Sequence, residues 1–158
     1  MAVLTRTITV NAAFLQEIKE DNRELRRLIQ YASDLLATST TGPNAMRDAA
    51  NMLAELRDQF AMHFSLEEAY GYFDDAIDVE PRLSEKAESL RLEHETLFLE
   101  ICEVVEQAER LLYHEPSAQT LKRIEARFMA FRHRFQSHET REEDLIMQSL
   151  DDDIGVGD

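Results

Sequence analysis

The sparse and clustered placement of glycine and proline most constrains how this chain folds. The 158 residues contain only 4 Gly and 3 Pro, and most of these lie in three short breaks at 39–44, 71–81 and 114–119. Four long uninterrupted stretches remain, which is typical of an all-helical protein. Pro43 and Pro81 stand where a helix would begin, a position that tolerates the missing N–H of proline.

Each stretch carries apolar residues at steps of three and four, the period of one helix face. The first two stripes are Phe14, Ile18, Asn22, Leu25, Ile29, Ala32, Leu36, and Met52, Leu56, Phe60, His63, Glu67, Tyr70. The other two are Leu83, Ala87, Leu90, His94, Phe98, Ile101, Val105, Ala108, Leu112, and Leu121, Ile124, Phe128, Phe131, Phe135, His138, Glu142, Leu145, Ser149. We expect helices at about 11–37, 43–70, 82–113 and 117–150, packed as an all-α, antiparallel up-down-up-down four-helix bundle.

The length and the charge narrow the class of protein. A chain of 158 residues fits one domain, so we expect a single domain over 1–158 with a flexible acidic tail at 151–158. The formal net charge of −15 repels a phosphate backbone and argues against nucleic acid as a partner. The acids beside the stripes are expected on a solvated charged face, and these are Glu68, Glu93, Glu95 and Glu139.

The chain shows no signal for secretion or for a membrane. Its first ten residues are too short and too interrupted by polar residues for a signal peptide or a spanning helix. The single cysteine, Cys102, cannot form an internal disulfide. We therefore expect a cytoplasmic protein with no membrane partner.

Polar side chains interrupt the apolar stripes, among them four that could bind a metal ion, namely those of His63, Glu67, His94 and His138. An unpaired buried polar group costs about 1 to 3 kcal/mol, so these side chains need partners. Counted along the helices from the connections, at about 1.5 Å per residue, the four positions fall at a similar level of the bundle. We expect them to converge in the core.

The residue types at this level are those of a metal site. His63 and Glu67 are four apart on one helix face, and His138 is followed at a similar spacing by Glu142 and Glu143. Mixed nitrogen and oxygen donors suit iron, manganese or zinc better than copper(I) or calcium. The alternative is a buried hydrogen-bond network in a bundle that has lost its metal.

Four segments in this order resemble the four helices of a hemerythrin-like HHE cation-binding domain. They are 20–29, 63–68 with its HxxxEE pattern, 92–95 and 138–147. The likeness covers nearly the entire chain. It implies a four-helix bundle with a non-heme di-iron centre, held by terminal histidines and two bridging carboxylates.

Carried over residue by residue, the resemblance implies a specific set of ligands. His63 would serve one iron, and the other two histidines would serve the second. The implied terminal ligands are His63, His94 and His138, and the implied bridges are Glu67 and either Glu142 or Glu143. Glu143 fits the family spacing, whereas Glu142 follows the stripe more directly, so both stay open.

Two departures from the family pattern shape the predicted function. Asn22 stands where the first helix of the family has a histidine, and Phe98 stands where the third helix has its second histidine. The predicted site therefore lacks two ligands of the family centre and would hold one or two metal ions. This argues against a reversible dioxygen carrier. It favours a role in sensing or handling dioxygen, nitric oxide or iron. The alternative is a metal-free degenerate bundle that acts as a protein-interaction module. An enzyme using zinc or manganese is the least supported option, because no nucleophile motif is found.

Overall fold

The computed structural model describes the backbone of residues 2–38, 43–69, 81–113 and 117–156, and the side chains within 20–38, 44–68, 81–113 and 117–148. This part of the chain forms four long helices, α1 (Ala2–Thr38), α2 (Pro43–Ala69), α3 (Ser84–Arg110) and α4 (Ala118–Val156). A short 3-10 turn at Pro81–Leu83 precedes α3. The described residues include no strand.

The helices pack in chain order around a closed ring. Each helix contacts the next one, and α1 also contacts α4. Arg26 lies 3.9 Å from Glu139, whereas Arg132 donates to Ser33 at 2.9 Å, so α1 and α4 run in opposite directions. The contacts of α3 with α4 show the same antiparallel order, since Lys86 pairs with Gln148 and Glu93 pairs with Arg141. The predicted all-α, antiparallel up-down-up-down bundle is confirmed.

Two helices are longer than the sequence patterns indicate. Helix α1 begins at Ala2 rather than near residue 11, since neither glycine nor proline interrupts residues 2–38. The acidic tail, predicted to be flexible from residue 151, is helical to Val156, and its last two residues lie outside the described part. No proline follows Ala118, so nothing local ends the helical hydrogen bonding there.

The third helix is shorter than predicted, since it ends at Arg110 rather than near residue 113. Its last turn tightens, because Leu112 N–H donates to the carbonyl of Glu109 at 3.0 Å and Tyr113 N–H donates to that of Arg110 at 3.1 Å. Such bonds to the third preceding residue satisfy carbonyls at a helix end.

Local signals fix where α2 and α4 begin. Pro43 is the first residue of α2, and its fixed φ suits that position. Ser117 caps α4, because its Oγ accepts a hydrogen bond from the backbone N–H of Thr120 at 3.1 Å. The three predicted connections fall mostly on residues 39–42, 70–80 and 114–116, which lie outside the described part.

The apolar interior is divided into two clusters. The larger draws on all four helices and includes Leu25, Leu56, Phe60, Ile101 and Phe131. The smaller consists of Leu83, Ala87, Leu90 and Leu145. Polar side chains occupy the buried positions at the levels of His94 and His138, which fall between the two clusters along α3 and α4.

The outer faces of the helices are charged. Ion pairs such as Arg27 with Glu24, 2.7 Å, and Arg110 with Glu106, 3.4 Å, lie on these exposed surfaces. Exposed pairs contribute about 1 kcal/mol at most, so the bundle depends chiefly on its buried faces. Among the described helices, none combines the length and the apolar character needed to cross a bilayer.

Candidate metal centre

A layer of buried polar side chains crosses the bundle. We call it the polar layer, and its members come from three helices, α2, α3 and α4. They are His63, 2% exposed, Glu67, 4%, His94, 4%, His138, 1%, and Glu142, 3%. The helical register that puts apolar residues inside at every third or fourth position also puts these residues inside.

Four of these side chains converge on one point. One donor atom each from Glu67, His94, His138 and Glu142 lies within 4.8 Å of the others. His94 Nε2 lies 3.1 Å from Glu67 Oε2 and 3.3 Å from Glu142 Oε1, and His138 Nε2 lies 2.5 Å from Glu142 Oε1. We call these four residues the ligand cluster. Two imidazoles and two carboxylates at this separation could hold one cation.

His63 adjoins the ligand cluster through Glu67. Its Nε2 lies 3.0 Å from Glu67 Oε1, while Glu67 Oε2 faces His94. One carboxylate therefore spans the space between the two histidines, with one oxygen toward each. The predicted pair on α2, His63 and Glu67, thus lies at one end of the polar layer. Only Glu67 of this pair is one of the four converging residues.

The two neighbouring acids of α4 lie in different environments. Glu142 is buried in the ligand cluster, whereas Glu143 is exposed. Glu143 lines a surface groove of about 400 Å³ between α1 and α4, together with Arg26 and Arg132. Consecutive helical residues point about 100° apart, so only one of the two can face the core. The geometry therefore favours Glu142 as the inward carboxylate.

Each histidine of the polar layer is held from outside by a carboxylate on the preceding helix. In every case the acid contacts Nδ1 of the ring, which leaves Nε2 directed inward. The pairs are Asp21 with His63, 2.5 Å, Glu68 with His94, 3.4 Å, and Glu93 with His138, 2.7 Å. This is the arrangement that orients metal-binding imidazoles and fixes their tautomer.

Sequence reasoning missed these outer partners. Glu93 was expected on a solvated face, but its side chain is only 31% exposed, and it also accepts a hydrogen bond from Arg141 Nη1 at 2.6 Å. Asp21, 7% exposed, was not singled out at all. The available signal was their position, since each acid immediately precedes a polar member of a core stripe, Asn22 or His94.

Four buried polar atoms, one on Asn22 of α1 and three in the polar layer, have no hydrogen-bond partner. They are Asn22 Oδ1, His63 Nε2, Glu67 Oε2 and His138 Nε2. Some lie close to an opposing atom, as His63 Nε2 does to Glu67 Oε1, but not at the angle of a hydrogen bond. Buried polar groups are almost always satisfied, so such a group of orphaned atoms needs an explanation. A cation within the polar layer would satisfy the orphaned atoms of that layer, and the residues present therefore fit a metal ion.

Comparison with protein families agrees with this geometry. The family model described as the hemerythrin HHE cation-binding domain matches residues 13–150. The chain belongs to the hemerythrin HHE family. The resemblance inferred from the four sequence motifs is thereby confirmed. Comparisons with curated proteins and with solved structures each gave no match.

In this hemerythrin-family protein, Asn22 and Phe98 occupy the two positions at which the sequence resemblance implies histidines. Phe98 is partly buried and packs against the larger apolar cluster, so its ring contributes apolar surface and no metal-ligand atom. Asn22 is half-buried, yet its Oδ1 is fully enclosed and without a hydrogen-bond partner. The two substitutions therefore have different consequences, because only Asn22 keeps a donor atom in the core.

Aromatic rings enclose one side of the polar layer in this hemerythrin-family protein. Phe64 stacks on His94, with ring centroids 4.5 Å apart and planes at 17°. Phe135 meets His63 edge-on at 5.8 Å. These rings keep bulk water away, which strengthens every electrostatic interaction in the layer.

The histidines bind protons strongly in the metal-free chain. Burial lowers the pKa of His63, but the carboxylates of Asp21 and Glu67 outweigh it and raise that pKa to about 10. Burial likewise opposes the charged form of His94, but Glu142 and Glu67 raise its pKa to about 9. A metal ion would therefore have to displace protons from these rings at neutral pH.

The bridging carboxylate shows the opposite effect. Burial raises the pKa of Glu67, but the adjacent His63 and His94 outweigh it and lower the pKa to about 2. Glu67 is therefore ionised at neutral pH and ready to accept a cation. Its negative charge is balanced by protonated imidazoles in the metal-free state.

Proposed function

We propose that this hemerythrin-family protein binds iron in its polar layer and uses it to sense or handle dioxygen, nitric oxide or iron itself. One observation carries the proposal. Two imidazoles and two carboxylates from three helices converge within 4.8 Å in the core, and several of their donor atoms have no hydrogen-bond partner. The membership in a cation-binding family supports the same conclusion.

The donor set favours iron among the available metals. Imidazole nitrogen and carboxylate oxygen suit iron, manganese and zinc, and the ligand cluster contains no thiolate to favour softer ions. The two carboxylates of Glu67 and Glu142 supply two negative charges, which balance one divalent cation in a buried site. Zinc and manganese fit the same donors and serve as comparisons in the experiment.

The burial of the site favours a small ligand. The side chains of the ligand cluster are at most 4% exposed, so a large substrate cannot reach them without opening the bundle. A ferrous ion, when bound, would supply a centre that combines with a diatomic gas and exchanges electrons with it. Around it, Glu67 and Glu142 would hold negative charge, Phe64 would exclude water, and Glu93 would keep the His138 ring in place.

The decisive experiment loads the metal-free protein anaerobically with ferrous iron and then admits dioxygen or nitric oxide. We expect stoichiometric iron by elemental analysis and a new charge-transfer absorption when the gas is added. Parallel loading with zinc and manganese ranks the metals by affinity.

A matched pair of variants on α4 controls for nonspecific binding. His138→Gln removes a buried member of the ligand cluster, whereas His133→Gln changes an exposed histidine of the same helix. We expect the first variant to lose iron and the second to retain it. Absence of stoichiometric iron in the unmodified protein would reject the proposal and leave the interaction module as the better reading.

A further inference from the structure

We propose that a cation reaches the ligand cluster through a groove between α2 and α3, with Glu68 as the carboxylate that takes up the ion from solvent. We call this cavity of about 380 Å³ the α2–α3 groove, and its lining includes Phe64, Glu68, His94 and Phe98. The inference rests on the proposed metal binding. It adds a route for the ion and a role for one of the outer partners.

The ligand cluster needs a route from solvent because its side chains are at most 4% exposed. Two grooves on the described surface are lined by one of its histidines. The α2–α3 groove contains His94 beside Glu68, and a second groove of about 300 Å³, between α3 and α4, contains His138 beside Glu93. We call the second one the α3–α4 groove. The two grooves are therefore alternative routes to the same cluster.

The outer acid of the α3–α4 groove is held firmly. The Glu93 side chain is 31% exposed, and one of its oxygens lies 2.7 Å from His138 Nδ1. Its other oxygen accepts a hydrogen bond from Arg141 Nη1 at 2.6 Å. An ion that entered beside Glu93 would have to break both of these short, charge-assisted contacts. The α3–α4 groove is therefore closed by an ion pair that joins its two helices.

The outer acid of the α2–α3 groove is held more loosely. The Glu68 side chain is 52% exposed, and its contact with His94 Nδ1 measures 3.4 Å, which is long for a hydrogen bond. Its carboxylate is thus open to solvent while it lies next to a ring of the ligand cluster. Glu68 can therefore bind an incoming ion with little loss of existing contacts and bring it to His94.

The charge and the walls of the α2–α3 groove suit the passage of a cation. Two acids line it, Glu68 and Glu95, against one arginine, Arg91, which is itself 3.3 Å from another acid of α3. Negative charge in a cleft raises the local concentration of cations. The rings of Phe64 and Phe98 offer no ligand atom, so these walls do not retain the ion before it reaches the ligand cluster.

The first test blocks each groove in turn. Ser65 lines the α2–α3 groove and Ser137 lines the α3–α4 groove, and both serines are exposed. Stopped-flow absorption measures cobalt(II) uptake by the metal-free protein, a competing chelator gives the rate of release, and calorimetry gives Kd. We expect Ser65→Trp to slow uptake and release alike by at least about 10-fold. Its Kd should stay unchanged, because an obstacle on the route alters the barrier and not the bound and free states.

The matched variant Ser137→Trp should leave both rates unchanged. Equal rates in Ser65→Trp and the unmodified protein, or slowing in Ser137→Trp alone, would overturn the inference but leave the proposed function standing. Absence of cobalt(II) uptake by the unmodified protein would overturn both.

The second test removes the charge of Glu68 and keeps the size of its side chain, so it still decides the question if Ser65→Trp folds poorly. Glu68→Gln should slow cobalt(II) uptake by roughly 3- to 10-fold at low ionic strength and make the rate less sensitive to salt. Glu93→Gln, at the outer acid of the other groove, should instead weaken binding through faster release. An uptake rate that is unchanged or faster in Glu68→Gln, or the same slowing in Glu93→Gln, would overturn the role of Glu68.

Discussion

Two adjacent levels of the bundle use the same inward-facing positions for opposite purposes. At one level Phe60 packs edge-on against Phe131 and Phe135, with ring centroids 5.0 and 4.7 Å apart. About one turn further along α2 and α4, the inward positions carry His63 and His138. We call the first the aromatic layer, to set it beside the polar layer.

The difference lies in what each layer needs in order to be stable. The aromatic layer removes apolar surface from water and is complete without a ligand. The polar layer buries ionised side chains that attract one another, but several of its donor atoms have no hydrogen-bond partner, so a bound cation would complete it. The aromatic layer therefore stabilises the fold, and the polar layer depends on what it binds.

Among the substitutions, the largest expected effect on stability is in the aromatic layer. Phe60→Ala should lower the free energy of unfolding of the metal-free protein by about 3 to 5 kcal/mol, because it leaves a cavity in a fully buried position. Urea denaturation measures the loss. Met62→Ala, at a side chain 58% exposed on the same helix, is the control and should change stability by about 0.5 kcal/mol or less. A loss below about 1 kcal/mol for Phe60→Ala would contradict this account of the layer.

The next prediction compares the effects on cation affinity of substitutions at two neighbouring acids of α4. Glu142→Gln should weaken cation affinity by more than about 100-fold, beyond the range seen for outer partners, because it removes a charge from the ligand cluster. Glu143→Gln should leave affinity unchanged, since Glu143 is exposed. Competition with a chromogenic chelator gives both values. The reverse result would show that Glu143 is the inward ligand.

Glu142 and Glu143 show which parts of the site could be predicted from the sequence and which could not. The repeated steps of three and four define the helices and the core stripes, because burial imposes one period along each helix. They also place His63, His94 and His138 inside. They do not separate Glu142 from Glu143, because that choice depends on the rotation of α4 within the bundle, which packing against the other helices decides.

A smaller effect tests the outer partners. Glu93→Gln should weaken cation affinity by about 10- to 100-fold, because it loosens the His138 ring without removing a ligand. Glu95→Gln, at an exposed acid of the same helix, should have no effect. Isothermal titration calorimetry compares the two. Equal affinities would mean that Glu93 serves only the ion pair with Arg141.

The outer partners could not be predicted from the sequence for a different reason. Asp21 and Glu93 flank the stripes rather than belong to them, and many exposed acids of this chain do the same. Their roles depend on the lateral distance between neighbouring helices, which no periodicity records. The same holds for Arg141, whose contact with Glu93 joins two helices.

A separate expected effect is the pH dependence of the stability of the metal-free protein, which comes from the polar layer. Since the folded pKa of His63, about 10, and of His94, about 9, lie above the unfolded value of 6.5, their protonation stabilises the fold fully below about pH 6.5. This contribution is lost as the pH rises through about 9 to 10. Urea denaturation between pH 7 and 10 should show falling stability, with a shallower fall in His63→Gln. A rise across this range would contradict the protonated polar layer.

The succession of acids and imidazoles around the ring of helices has a consequence for assembly. Each of α2, α3 and α4 brings a ring whose orientation is set by its predecessor in the chain. No single hairpin can thus build the complete centre. If the helices packed in another order, or if one helix, including one exchanged with a second chain, were shifted along its axis, these acids would lie opposite the wrong imidazole rings. Tight cation uptake by the ligand cluster therefore reports that α2, α3 and α4 have docked in their correct succession.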